Sequence, residues 1–91
     1  MKPNSVYAYP DHPAEIRSRL RQIAPRLVNL RDRFRISQAR ASEIAGVSLR
    51  QYQAYEYGDT LPPLTVLLAL AECYGVSLDY LVGRTDNPCM A

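Results

Sequence analysis

The sequence predicts an all-α fold, and three observations support this prediction. Apolar residues recur at helical spacing along the chain, whereas no segment shows the period of two that a half-buried strand requires. The helical segments are bounded by serine caps, glycines and prolines. With 91 residues, 47% of them hydrophobic and 22% charged, the chain has the size and composition of one globular domain.

The composition excludes several classes of protein. The longest apolar run, residues 66–71, is far too short to span a membrane, and the N-terminus lacks the apolar core of a secretory signal. The two cysteines, Cys73 and Cys89, and the single histidine, His12, form neither a disulfide framework nor a zinc-ligand pattern. No combination of nucleophile and base indicates catalysis. We therefore expect a cytoplasmic protein that is not an enzyme and has no cofactor or metal.

The charge is distributed unevenly along the chain. Residues 15–57 contain nine arginines and four acids, whereas residues 58–91 contain one arginine and four acids. The planar guanidinium of arginine suits phosphate groups and guanine edges. The asymmetry indicates a polyanion as the partner of the first part of the chain, although helix solubility alone would account for the arginines equally well.

An extended, proline-containing arm, residues 1–13, precedes the first predicted helix. Pro13 suits the first turn, where no backbone donor is needed. Ile16, Leu20 and Ile23 then form one apolar face. The basic side chains of this segment are expected on a solvent-facing surface: Arg17, Arg19 and Arg21.

Pro25 is expected to interrupt this helix, because a proline ring clashes with the carbonyl four residues back. It can equally open a new helix at its first position, with Leu27, Leu30 and Phe34 facing inward. We favour the second interpretation, with a kink as the alternative to a clean break.

Two short helices joined by a tight turn form the most informative segment. Ser37 can cap the first helix, and Gly46 can end it in the left-handed conformation. Ser48 can cap the second helix, which runs to Tyr57 before Gly58. So short a turn sets the two helices at a steep angle. This is the arrangement of a helix-turn-helix, whose second helix lies in the major groove of DNA.

Two further helices are predicted after this motif. Residues 65–74 form a strongly apolar helix that is closed by Gly75. Ser77 caps a last short helix that ends at Gly83. Residues 84–91 carry no helical pattern and are expected to fray.

In these segments the chain resembles the Cro and lambda-repressor-like (XRE) helix-turn-helix regulators. The resemblance rests on four stretches: Ser37-Gln38, Ala45-Gly46-Val47-Ser48, Tyr55-Glu56-Tyr57-Gly58 and the run from Leu67 to Asp86. It implies a compact five-helix, lambda-repressor-like DNA-binding domain in residues 23–87. Residues 1–22 then hold the arm and an extra amphipathic N-terminal helix, and residues 88–91 form a flexible tail.

The resemblance also implies which residues contact DNA: Gln38, Ser48, Leu49, Arg50, Gln51, Gln53, Ala54 and Tyr57. Gln38 matches a glutamine that bonds a phosphate beside the groove, and Tyr57 matches a site that is often basic. The side-chain chemistry fits the first turn of the recognition helix. Arg50 can bridge O6 and N7 of guanine, Gln51 can pair with adenine, and Leu49 can contact a thymine methyl group.

Some positions depart from the family pattern. Arg35 stands where the family usually ends its first helix with glycine. Tyr52 replaces an aliphatic core residue, so its hydroxyl needs a partner. Ala54 replaces a longer polar side chain, and its base contact is expected to be missing. Glu56 is expected to pair with a first-helix arginine such as Arg31, because an acid has no reason to face phosphate.

These patterns predict a sequence-specific regulator, a repressor, that binds double-stranded DNA as a homodimer, since one domain reads few base pairs. One dimer surface is the C-terminal helix around Leu78, Tyr80 and Leu81, which its acidic surroundings favour. The other is the apolar face of the N-terminal helix. Two alternatives stay open: an antitoxin that autoregulates and binds a protein partner through the N-terminal extension, and a module whose exposed helix binds protein.

Overall fold

A computed structural model describes residues 13–89, with side chains from Arg17 onward. This part of the chain contains no strand and forms five α-helices: α1 (Pro13–Phe34), α2 (Gln38–Ala45), α3 (Leu49–Tyr57), α4 (Leu64–Tyr74) and α5 (Leu78–Leu81). The predicted all-α fold is confirmed. None of these five helices has the length and hydropathy needed to cross a membrane. The N-terminal arm with His12 lies outside the described residues, as does the side chain of Ile16.

The first helix corrects the prediction made at Pro25. α1 is a single helix of 22 residues with Pro25 inside it, so the expected extra N-terminal helix is continuous with the helix predicted to follow Pro25. Pro25 itself is exposed, whereas Ile23 and Leu27 on either side of it are buried. An internal proline costs about 3 kcal/mol, and burying an isoleucine or leucine contributes roughly 1.5–3 kcal/mol each. Packing of both halves therefore outweighs the local penalty.

The predicted serine caps are confirmed at three helices. The Ser37 hydroxyl accepts the backbone N–H three residues on at 3.0 Å. Ser48 and Ser77 cap α3 and α5 in the same way, at 3.1 and 3.0 Å. Three glycines in the left-handed conformation follow α2, α3 and α4 as predicted: Gly46, Gly58 and Gly75. The last helix closes at Val82, with φ −92°, one residue before the predicted glycine.

The corner between α1 and α2 is built without glycine. Arg35 itself takes the left-handed conformation, with φ 58°. Its N–H donates to the carbonyl of Asp32 at 3.1 Å, and the N–H of Ile36 donates to Arg31 at 3.2 Å. These bonds satisfy carbonyls at the end of α1. A residue with a Cβ in this conformation costs roughly 1–2 kcal/mol, so the corner stores strain that a glycine would avoid.

The core is formed by side chains from all five helices. Its largest fully buried members are Tyr52, Leu27, Leu30, Leu70, Leu81 and Val66. Tyr55 is also buried, at 5% exposed, so both tyrosines predicted to face inward do so. Tyr52 lies in α3, which means that the predicted recognition helix is anchored at the centre of the molecule.

Burial removes one residue from each of the two predicted dimer surfaces. Leu81 is fully buried and Ile23 is 4% exposed, so both belong to the core. Leu78, Tyr80 and Leu20 are each half-buried. Folding of the chain itself therefore covers much of the apolar area on which both predictions depended.

The segment after α5 is attached to α1 and is not frayed up to Pro88. Arg26 donates to the backbone carbonyls of Tyr80 and Thr85, each at 3.1 Å, and stacks on the Tyr80 ring at 4.0 Å. It also pairs with Asp86 at 2.6 Å. The Pro88 carbonyl accepts the N–H of Ser77 at 3.1 Å. One arginine of α1 thus fixes the end of α5 and the residues that follow.

Candidate nucleic-acid interface

The turn between α2 and α3 is closed by backbone hydrogen bonds. Gly46, with φ 74°, donates to the carbonyl of Glu43 at 3.1 Å. Val47 donates to the carbonyl of Ser42 at 3.1 Å. Ala41 and Ser42 are buried, because small side chains on α2 let the neighbouring helices approach. The turn therefore fixes where α3 begins and how it leaves α2.

The first turn of α3 faces solvent. Ser48, Leu49, Arg50 and Gln51 are all exposed, and the large apolar side chain of Leu49 is 42% exposed. The guanidinium of Arg50 makes no hydrogen bond or ion pair with any residue that the structure describes. A guanidinium with unused donors beside an exposed leucine presents the two chemistries that base edges require, hydrogen bonding and methyl contact.

Gln51 has a local partner that its predicted role did not include. Its side-chain oxygen accepts the backbone N–H of Ser48 at 3.1 Å, while its own N–H donates to the Ser48 hydroxyl at 3.1 Å. This reciprocal pair is a capping box that satisfies donors at the start of α3. Pairing with adenine needs both the oxygen and the nitrogen of the amide. In this conformation Gln51 offers only its amide nitrogen.

A buried carboxylate holds α3 to α1 and α2. Glu56 on α3 accepts two hydrogen bonds from Arg31 on α1, at 2.6 and 3.2 Å. It also accepts the Tyr52 hydroxyl at 2.6 Å and the Gln38 amide at 2.9 Å. Gln53 donates to the oxygen of Gln38 at 3.1 Å. We call these five residues the Glu56 network; it confirms the predicted Arg31–Glu56 pair and supplies the partner that Tyr52 needed.

The network stabilises the charged form of Glu56. Its side chain is only 2% exposed, and burial alone would raise the pKa of the carboxyl. Hydrogen bonds from Arg31, Tyr52 and Gln38 outweigh burial and lower the pKa of Glu56 below its usual value. The hydrogen bond to Glu56 raises the pKa of Arg31, and burial together with the same carboxylate raises the pKa of Tyr52. At neutral pH, Arg31 and Glu56 therefore form an ion pair at the centre of the network, and the neutral phenol of Tyr52 donates a hydrogen bond to Glu56.

Gln38 is fixed in place by this network. One amide N–H binds Glu56 and the amide oxygen accepts Gln53, so a single amide N–H is left to donate outward. Gln38 is also the first residue of α2, where backbone N–H groups lack a partner within the helix. These donors and the positive end of the helix dipole form a site that suits a phosphate oxygen.

The far end of α3 lines an open cleft of about 260 Å³, which we call the α3 cleft. Its lining residues are Arg50, Gln53, Ala54, Tyr57 and Asp59. Tyr57 is 64% exposed, and Ala54 is half-buried. The structure thus brings Arg50, Gln53, Ala54 and Tyr57 to one surface, beside the exposed first turn of the same helix.

A family model described as helix-turn-helix matches residues 27–81, which is more than half of the chain. The chain belongs to this helix-turn-helix family. The match begins within α1 and ends at the last residue of α5, so it includes the turn at Gly46 and the whole of α3. The resemblance to Cro and lambda-repressor-like regulators is confirmed.

Two curated relatives share this region. The helix-turn-helix protein is 38% identical over 63 residues to an uncharacterized HTH-type transcriptional regulator, YobD, of Bacillus subtilis strain 168. It is 36% identical over 63 residues to the cryptic phage CTXphi transcriptional repressor RstR of Vibrio cholerae serotype O1. Each alignment covers 69% of this chain and 56% of the relative, so the chain spans little more than half the length of these relatives. No solved structure matches the chain.

In this helix-turn-helix protein, sequence reasoning found the exposed side chains of α3 but missed the partners of two glutamines. The spacing Ser48-x-x-Gln51 is itself a capping-box pattern, so the role of Gln51 had a signal in the sequence. Gln38 and Glu56 are 18 residues apart, and no local pattern connects them. Their contact follows only from the way α3 packs on α2.

Proposed function

We propose that this protein is a sequence-specific DNA-binding repressor of transcription that acts in the cytoplasm and inserts α3 into the major groove of operator DNA. The observation that carries the proposal is the exposed first turn of α3, where Leu49 and Arg50 face solvent and Arg50 has no partner among the described residues. A groove-reading helix needs such side chains on a rigid support. Membership of the helix-turn-helix family and a relative named as a phage transcriptional repressor support the same function.

In this proposal the base edges are read mainly by Arg50 and Leu49. Arg50 donates to O6 and N7 of a guanine, and Leu49 contacts a thymine methyl group. Gln51 contributes its amide nitrogen while its oxygen caps the helix. Ser48 acts through that cap, and Ala54 offers only a methyl group.

Phosphate contacts set the position of α3 in the groove. The start of α2 at Gln38 holds one phosphate through backbone N–H groups and the remaining amide N–H. Gln53 keeps the Gln38 amide oriented by donating to its oxygen. The exposed hydroxyl of Tyr57 holds another phosphate at the far end of α3.

The proposal includes a homodimer on half-sites about one helical turn apart, because a single α3 reads few base pairs. Exposed leucines near the start of α4 support a contact surface there. Leu61, Leu64 and Leu68 are 39%, 62% and 41% exposed, and Leu64 and Leu68 lie one turn apart on the same face. We propose this surface in place of the two that folding partly covers.

Selection of bound fragments from a random duplex library tests the DNA-binding proposal. We expect a defined motif, and we expect Arg50→Ala to cost about 1–3 kcal/mol in binding and to relax one base position. Arg84→Ala is the matched control, since Arg84 is exposed and lies away from α3 on the C-terminal segment. Equal binding of operator and scrambled DNA by the parent, or an unchanged motif in Arg50→Ala, would contradict the proposal.

The dimer is tested separately by sedimentation and by the spacing of selected half-sites. Leu64→Glu with Leu68→Glu should give a monomer, because burying two carboxylates in an apolar contact is unfavourable. Thr65→Glu adds a charge to an exposed position of the same helix and should leave the dimer intact. A parent that is monomeric on single half-sites would show the dimer proposal to be wrong.

Salt dependence separates DNA binding from the alternative that the exposed helix binds a protein. Contacts to phosphates release counterions, so affinity for DNA should fall steeply as salt rises. An apolar protein contact would respond weakly. Purification with a small partner that contacts the N-terminal extension, together with DNA binding, would instead indicate an autoregulating antitoxin.

A further inference from the structure

A second open cleft lies between the N-terminal half of α1 and the end of α3. Its volume is about 330 Å³, and its lining includes Arg17, Leu20, Arg21, Ala24, Tyr57 and Gly58. We call it the α1–α3 cleft. No acid is among the described residues that line it, so the cleft combines two guanidinium groups, a phenol and an apolar floor.

The two arginines of this cleft differ from Arg19 and Arg26 of the same helix. Arg19 and Arg26 on another side of the helix donate to carbonyls of the C-terminal segment. Arg17 and Arg21, one turn apart and therefore on one face, are exposed, and their guanidinium groups make no hydrogen bond or ion pair with any described residue. No other described side chain or carbonyl therefore competes for the donors of these two guanidinium groups.

Tyr57 makes the α1–α3 cleft continuous with the proposed DNA-binding surface. It lines both this cleft and the α3 cleft, in which Arg50 lies. The acid of this surface, Asp59, lies on the Arg50 side of Tyr57 and lines only the α3 cleft. Arg50, Tyr57 and Arg21 thus place hydrogen-bond donors in two adjoining clefts.

We propose that Arg17, Arg21 and the Tyr57 hydroxyl bind phosphodiester groups of the DNA that flanks the bases read by α3. Arginine matches phosphate oxygens through paired N–H donors, and two arginines one turn apart reach separate phosphates. The N-terminal half of α1, which lies outside the matched helix-turn-helix region, thereby lengthens the DNA interface. This proposal rests on the proposed function of α3 and replaces the expectation that these arginines only face solvent.

The test compares two duplexes, one limited to the operator and one extended by about one helical turn on each side. Binding of each is measured between about 50 and 200 mM salt for the parent and for Arg17→Ala/Arg21→Ala. Each lost phosphate contact lowers the salt slope by about 0.9, so on the long duplex the parent should lose about 12-fold more affinity per bound protomer over this range than the double variant. On the short duplex the two proteins should have the same slope, and the base preferences selected from a library should be unchanged.

Controls keep this result separate from folding and from the function of α3. Arg84→Ala should retain the parent's slope on both duplexes, and thermal unfolding should show that the double variant is folded. If it is not, Arg17→Gln/Arg21→Gln retains part of each aliphatic side-chain stem while removing the charge.

The outcomes are distinguishable. Equal slopes of parent and double variant on the long duplex would overturn the flanking contact while leaving the function of α3 intact. An equal loss of slope on both duplexes would place the arginines within the operator and overturn the flanking position. A parent that does not prefer operator to scrambled DNA would instead refute the proposed function itself.

Discussion

At the scale of single residues, Glu56 determines how firmly α3 is held. Its carboxylate is 2% exposed and accepts hydrogen bonds from Arg31 on α1 and Gln38 on α2 as well as from Tyr52 on its own helix. A buried charge is tolerated only when its partners satisfy it. Loss of any one donor therefore affects the positions of three helices.

Removing the charge of Glu56 should destabilise the protein strongly. Glu56→Gln leaves Arg31, whose side chain is 17% exposed, without its carboxylate. We expect a loss of about 3 kcal/mol in the free energy of unfolding, measured in urea. Glu72→Gln, at an exposed position of α4, should change stability by less than about 0.5 kcal/mol. Similar values for the two variants would show that the network contributes little.

The same carboxylate gives stability a defined pH dependence. The pKa of Glu56 is lower in the folded protein than in the unfolded chain, where a glutamate has a pKa of about 4.3. Its contribution is therefore complete above the unfolded pKa and is lost as pH falls through the folded pKa. The free energy of unfolding should decrease more between about pH 6 and pH 3 for the parent than for Glu56→Gln. Parallel pH profiles would contradict this assignment.

Loss of the hydroxyl should have different effects on the stability of the protein at two buried tyrosines. Tyr74 is 4% exposed, packs on the Phe34 ring at 5.1 Å, and has a buried hydroxyl without a hydrogen-bond partner among the described residues. Tyr74→Phe should be neutral or stabilise by up to about 1 kcal/mol, whereas Tyr52→Phe should cost about 1–3 kcal/mol because Glu56 loses a donor. Thermal unfolding of both variants measures this difference. A large loss in Tyr74→Phe would reveal a partner for its hydroxyl.

At the scale of helices, what the sequence predicted correctly was local. Ser37, Ser48 and Ser77 cap helices through contacts within three residues, and such contacts are readable from spacing alone. Pro25 was misjudged because the burial of Ile23 and Leu27, which decides the matter, comes from residues far along the chain. The exposed turn of α3 was predicted, but the hydrogen bonds between α2 and α3 were not, since they depend on packing.

The strained corner between α1 and α2 gives a prediction with a built-in control. Arg35→Gly should stabilise the protein by up to about 1 kcal/mol, because glycine adopts a positive φ without the Cβ penalty. Arg33→Gly, two residues earlier and inside α1, should cost about 0.5–1 kcal/mol. Urea unfolding of both variants checks the opposite signs. Destabilisation by Arg35→Gly would indicate that the arginine side chain holds the corner.

At the scale of the whole molecule, α1 joins parts that are distant in sequence. Arg31 binds Glu56 on α3, whereas Arg26 binds the residues after α5. α1 therefore supports both α3 and the C-terminal segment. The sequence predicted the contact of Arg31 with Glu56 but not that of Arg26, because its partners lie more than 50 residues further along the chain and only the fold brings them together.

Arg26→Ala should loosen the C-terminal segment without unfolding the core. The variant removes the hydrogen bonds to Tyr80 and Thr85 and the ion pair to Asp86. We expect faster amide hydrogen exchange at Arg84, whose N–H now donates to Asp79 at 2.8 Å, while core amides of α4 remain protected. Arg33→Ala, on an exposed part of α1, should leave all of these rates unchanged. Uniformly faster exchange in Arg26→Ala would show that this contact stabilises the whole domain.

Because the Arg31–Glu56 pair is largely buried, salt should affect it differently from contacts at the protein surface. Mobile ions weaken attractions between exposed charges but affect a largely buried ion pair much less. If the protein binds DNA as proposed, concentrated salt should therefore dissociate the complex while α3 keeps its orientation in the free protein. On return to dilute buffer, rebinding would require no refolding.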